Sequence, residues 1–229
     1  MIAAMLRSYG RYVVPFSLLA ALVFAPVLWF AWRLPVPADA ERAKALYGMA
    51  WTIAGGAWFG QFALVGAVAP AVRGAATGVR LSQLRALGCG VANFLTMALP
   101  CAVAVAAIAI GGLVLALPAL ALVVLLALTA ASTAPGLPAP LLDSVAVVRG
   151  NLRTVAIAVV AIVAVDQAIA ATAYLALARP VSAKPTFDQL AAARDVVRVV
   201  AIALVVASPL AATVLATIRV RAGSPRGAS

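Results

Sequence analysis

The chain has 229 residues, 66% of them hydrophobic and 10% charged, with a formal net charge of +11 and a mean hydropathy of +1.14. A water-soluble domain of this size needs a charged surface that such a composition cannot supply, so lipid is the solvent for most side chains. The positive charge would suggest nucleic acid in a soluble chain, but here the arginines flank apolar blocks, where topology signals and anionic headgroups account for them, and no nucleic-acid partner is expected.

Apolar blocks of membrane-spanning length recur at residues 12 to 34, 46 to 71, 88 to 110, 113 to 133, 152 to 178 and 196 to 218, since a bilayer core takes roughly 20 apolar residues as helix. These predict an all-α polytopic bundle of six transmembrane helices, with residues 1–229 as a single integral membrane domain. The first block follows Arg7 and Arg11 and precedes Ala38-Asp39-Ala40, the pattern of a secretory signal and its cleavage site. Its length, and Trp29, Trp32 and Arg33 at its end, read instead as a retained span with an interfacial anchor.

The second block carries Gln61 and a Gly56-x-x-x-Gly60 spacing, which permits close backbone approach and so helix packing, within the chain or with a second copy. The third holds Asn93, Thr96, Cys89 and Cys101; the two cysteines lack metal-site spacing and read as packing residues. Between the third and fourth blocks only Gly111-Gly112 and Pro118 interrupt the apolar run, which places a tight hairpin at the glycines. After Pro135, Pro138 and Pro140, the spacing of Leu141, Leu142, Val145 and Val148, with Asp143, Ser144 and Arg149 interleaved, predicts a short interfacial helix between the fourth and fifth spans.

Asp166, with Gln167 beside it, falls near the middle of the fifth block. An ionised carboxylate there costs several kcal/mol, so the acid is expected to be neutral, paired across helices or facing water. Gln61, Asn93, Thr96, Thr172 and Tyr174 are its candidate partners, and each also serves as ordinary interhelical glue. The two longer loops resemble each other: Arg33-Leu34-Pro35-Val36-Pro37 leads into Asp39 and Glu41, and Arg179-Pro180-Val181 leads through Pro185 into Thr186 and Asp188. Thr186-x-x-Gln189 has capping-box spacing, so the second and sixth helices are expected to start in water before entering lipid; the matching hairpins are those of an internal repeat of helix pairs or, the more ordinary reading, a chance likeness of short proline-rich loops.

With the N-terminus inside, ten basic residues fall on the cytoplasmic side (Arg7, Arg11, Arg73, Arg80, Arg85, Arg149, Arg153, Arg219, Arg221 and Arg226) and seven on the other. The positive-inside rule then puts both termini in the cytoplasm, against anionic headgroups. Only Lys44 and Lys184 are lysines, a bias of GC-rich bacterial genomes, and the expected location is a bacterial inner membrane.

Gly112-Leu113-Val114-Leu115-Ala116-Leu117-Pro118, the apolar run to Pro135, and Leu141-Leu142-Asp143-Ser144-Val145-Ala146-Val147-Val148-Arg149-Gly150-Asn151 resemble the second half of a bacterial six-helix membrane superfamily that includes the membrane domain fused to some glycerophosphodiester phosphodiesterases. The resemblance covers about a quarter of the chain and implies six-helix architecture without catalytic residues in the membrane portion.

The chain has no histidine, which excludes zincin, haem and Ser-His-Asp chemistry in their usual forms, and it has no phosphate-binding glycine loop or calcium loop. No cofactor or metal is expected. The function that follows is a non-enzymatic multi-pass protein, either a permease-like subunit or an assembly and stabilising factor with a protein partner or second copy. Its alternatives are a proton- or ion-coupled transporter using Asp166 and, behind that, a lipid-modifying enzyme built on Asp39, Glu41, Asp188 or Asp143.

Overall fold

The computed structural model describes residues 9–79, 81–114, 116–132, 138–179 and 184–222. Arg7, Arg80, Arg226, Pro135, Pro180 and Val181 lie outside the described residues. Among the described residues every regular element is helical: α1 Val13–Val23, α2 Ala25–Arg33, α3 Ala40–Ala76, α4 Gln83–Val114, α5 Ala116–Leu126, a 3-10 turn Thr129–Ala131, α6 Ala139–Gly150, α7 Leu152–Leu177 and α8 Phe187–Ala222. Four of them, α3, α4, α7 and α8, are long and apolar enough to cross a membrane, and α1 with α2 make a fifth if counted as one span bent by 63°.

The longest helices, α3 and α8, form the central pair. They run parallel, because the first half of each (Ala43 to Ala57, Ala193 to Leu204) shares one apolar cluster and the second half of each (Phe62 to Val72, Ala212 to Ile218) shares another. The antiparallel α7 contributes Val155 and Val159 to the second cluster and Ala170 and Ala173 to the first. Exposed Leu95, Leu99 and Ile110 on α4, Ile157, Val160 and Leu175 on α7, and Val206 on α8 give the bundle an apolar exterior, which suits lipid and not water.

The charges divide between the two ends of this bundle. Where α3 and α8 finish lie Arg11, Arg73, Arg85, Arg149, Arg153, Arg219 and Arg221 with Asp143, and we call this the basic end. The opposite loop end carries mixed charges. There Asp39 caps α3 by accepting from the Arg42 N–H at 2.8 Å, and Thr186 and Gln189 exchange bonds at 3.0 and 3.4 Å ahead of α8. Both helices are therefore regular from Ala40 and from Phe187 onward, as their caps predict. Arg198 closes α2 by donating to the carbonyls of Ala31, Trp32 and Leu34, and its guanidinium stands over the Trp32 ring.

Three expectations change. The first block is a bent pair, because Pro26 in the opening turn of α2 has no N–H for the carbonyl of Leu22. No hairpin forms at Gly111-Gly112: α4 continues through both glycines to Val114, since a helix satisfies their backbone groups where lipid cannot. Pro118 falls in the first turn of α5, where a missing N–H is tolerated, and α5 has 11 residues, about 16 Å, too short to span a core of about 30 Å by itself.

The helix expected after the prolines forms as α6, but its faces differ from the pattern. Leu142 is exposed, while Ser144 is fully buried with Pro140 and Val148. Ser144 tolerates burial because its Oγ donates to the Leu125 carbonyl at 2.8 Å and accepts from the Leu128 N–H at 3.3 Å, closing the end of α5.

Candidate functional site

Gln61 sits on α3 between Ala57 of one apolar cluster and Phe62 of the other, and Asp166 sits on α7 between Val159 and Ala170. Both therefore lie at the seam of the two clusters, near half depth. Gln61 Nε2 donates to Asp166 Oδ1 at 3.0 Å and Oδ2 at 2.9 Å. The two residues are 1% and 2% exposed, and Gln61 Oε1 is buried with no hydrogen-bond partner among the described residues. The pair is thus satisfied on one side and open on the other: an amide oxygen, held next to a carboxyl group, awaits a donor.

Backbone irregularities fall at the same seam. Pro209 on α8, between Leu204 of one cluster and Ala212 of the other, has no N–H for the carbonyl of Val205. Phe24, at the bend between α1 and α2, lays its ring on Gly60, where an added Cβ would come within 2.6 Å of the ring. Buried Ser208 donates to Leu204 O at 2.6 Å and Thr213 to Pro209 O at 2.7 Å, which leaves both hydroxyls locally satisfied.

The remaining candidates separate from this pair. Gln167 is half-buried, and its Nε2 lies 3.4 Å from the position of a Cβ on Gly55. Asn93 donates to Gly66 O at 2.6 Å. Pro70 explains that bond, because it lacks the N–H that Gly66 O would receive in a regular helix, so Asn93 from α4 fills a gap in α3. Thr96 and Thr172 return their hydroxyls to Ala92 O and Ala168 O on their own helices, and Tyr174 packs edge-on against Tyr47. Of the Gly56-x-x-x-Gly60 pair, Gly60 is a contact within the chain, whereas Gly56 has nothing within 4 Å of an added Cβ. Cys89 is exposed and not a packing residue; Cys101 is half-buried.

The acids near the ends are largely engaged in structure. Asp39 caps α3, Glu41 pairs with Lys44 at 2.9 Å, and Asp195 pairs with Arg194 at 2.9 Å. Asp188 and Asp195 line an open cleft of about 370 Å³ at the loop end, with Leu177, Arg179, Ala191 and Ala192; Asp166 is not part of it. Among the described residues no three His, Cys, Asp or Glu side chains gather as metal ligands. One constellation escapes the sequence reading: Asp143 on α6 takes Arg219 on α8 and Ser132, across separations that no local pattern signals. No family model, curated protein or solved structure matches the chain.

Proposed function

We propose that the chain is a non-enzymatic, permease-like protein with six passes, in which Gln61 and Asp166 form a midplane site for a proton or small cation. The observation that supports this reading is the buried, unpartnered Gln61 Oε1 beside the Asp166 carboxyl, at the level where the α1–α2 pair bends and α8 carries Pro209. An exchangeable acid, an idle amide oxygen and interrupted helix backbone are the ingredients from which membrane carriers build ion sites. In the six-pass arrangement α4 and α5 together make the third and fourth passes, α6 lies in the interface at the basic end, and that end faces the cytoplasm of a bacterial inner membrane. The resemblance to the six-helix superfamily agrees with this arrangement.

Flux through reconstituted vesicles tests it. Wild-type protein should acidify the vesicle lumen, or load it with a radioactive alkali cation, under an imposed gradient. Asp166→Asn should abolish that flux while the protein remains folded. Absence of flux in the wild type, or undiminished flux in Asp166→Asn, would reject the site.

A second reading, an assembly or stabilising factor, draws on the dryness of the pair, each side chain being at most 2% exposed. There the pair is only a clasp between α3 and α7. That reading expects no flux at all, and a loss of helix packing when either residue becomes leucine.

A further inference from the structure

At the basic end the last turns of α3 and α8 carry Arg73 and Arg219. Arg219 Nη2 donates to both oxygens of Asp143, at 3.0 and 2.7 Å, and Ser132 Oγ donates to Oδ2 of the same carboxylate at 2.6 Å. Asp143 is the only acid among the described residues of that end, and these bonds occupy it. Arg219 Nε is buried and has no acceptor among the described residues. Arg73 is half-buried without an ion pair or side-chain hydrogen bond among the described residues, and it leaves the bundle beside Arg219, since Val72 and Ile218, the residues just before the two arginines, belong to one apolar cluster.

The one carboxylate of that end is taken by Arg219, so the positive charge of Arg73, itself partly withdrawn from water, is left without a counter-ion among the described residues. Surface arginines do not have this difficulty: Arg149, Arg153 and Arg221 at the same end are exposed and hydrated, and they add to the local positive potential. A phosphate group supplies what the inner pair lacks, since its oxygens match the planar fork of a guanidinium and can accept several N–H bonds at once.

We propose that Arg73 and Arg219 form a phosphate-binding site, occupied by the headgroup of an anionic phospholipid at the membrane surface. The position favours a lipid source, because both residues end long apolar helices, where headgroups lie. The site is independent of Asp166 and stands whether or not the protein carries an ion.

The test uses the full chain in a neutral detergent, with phosphatidylglycerol, phosphatidylcholine or inorganic phosphate added at matched ionic strength. Binding is read from the rise in thermal unfolding temperature. Phosphatidylglycerol should stabilise the wild type more than phosphatidylcholine does. Its half-saturating concentration should rise roughly fivefold or more in Arg73→Gln and stay unchanged in Arg221→Gln. Arg73→Lys, which keeps the charge but loses the fork, should fall between and serves if Arg73→Gln does not fold. Stabilisation by inorganic phosphate equal to that by the lipid, and lost in the same Arg73 variants, would keep the site and assign it to free phosphate. Wild-type affinity in the Arg73 variants, or an equal loss in Arg221→Gln, would overturn the proposal.

Discussion

Gln61 presents one nitrogen to both oxygens of Asp166 and keeps its own oxygen idle, so the two side chains are unequal partners. Gln61→Leu strands a buried carboxyl group, and Asp166→Leu strands a buried amide; each should lower stability by about 1–3 kcal/mol. The double leucine variant removes both polar groups and should recover part of that loss, giving a coupling between about 0.6 kcal/mol, the average for polar pairs between membrane helices, and about 1.7 kcal/mol, the largest. Denaturant unfolding of the four proteins in bicelles measures it. Strict additivity would mean that the pair does not hold α3 to α7. Gln61 was nameable from sequence as a partner because so few polar residues reach that depth. The idle oxygen was not, since it depends on which atom of the amide faces the acid.

At the scale of the helix, prolines decide where polar side chains go. Pro70 leaves Gly66 O without its N–H, and Asn93 of α4 supplies the missing donor at 2.6 Å. Asn93→Ala should therefore cost about 1 kcal/mol in a wild-type background. In a Pro70→Ala background the helix provides its own donor, and the same Asn93→Ala change should cost little. A thermodynamic cycle in which Pro70→Ala leaves the cost of Asn93→Ala intact would separate the two residues. The same region explains what the sequence concealed about glycine. The Gly56-x-x-x-Gly60 spacing predicts close packing, yet among the described glycines the closest approaches to another backbone are at Gly66, where an added Cβ would meet Ala130 O at 2.8 Å, and at Gly90, where it would meet Ala67 O at 2.7 Å. Spacing identifies which glycines share a helix face. It does not identify which face another backbone crosses, because the crossing point depends on partners far along the chain. The elements themselves were legible for a simpler reason: apolar length and capping residues act locally, so α3, α7 and α8 start and stop near their sequence signals.

The whole molecule turns on how α4 and α5 share the membrane. With 32 residues, α4 is about 48 Å long, more than enough to cross a core of about 30 Å. The 11-residue α5 is too short to return the whole way, and Ser144 from α6 holds its end through Leu125 O and the Leu128 N–H, just ahead of the 3-10 turn at Thr129–Ala131. α1 starts and α8 finishes at the same end of the bundle, the end that the proposed topology turns to the cytoplasm. Single cysteines introduced into a Cys89→Ala, Cys101→Ala background decide the matter with an impermeant maleimide on intact cells. Glu41→Cys, Gly111→Cys and Asp188→Cys should be labelled from outside, while Arg85→Cys, Arg153→Cys and Arg221→Cys should react only after the membrane is opened. Protection of Gly111→Cys from both sides would make α4 and α5 a re-entrant hairpin and reduce the passes to four. Labelling of Glu41→Cys and Arg221→Cys from the same side would end the parallel arrangement of α3 and α8 as two full spans, because helices that begin together at one end and finish together at the other must carry these residues across the bilayer from each other.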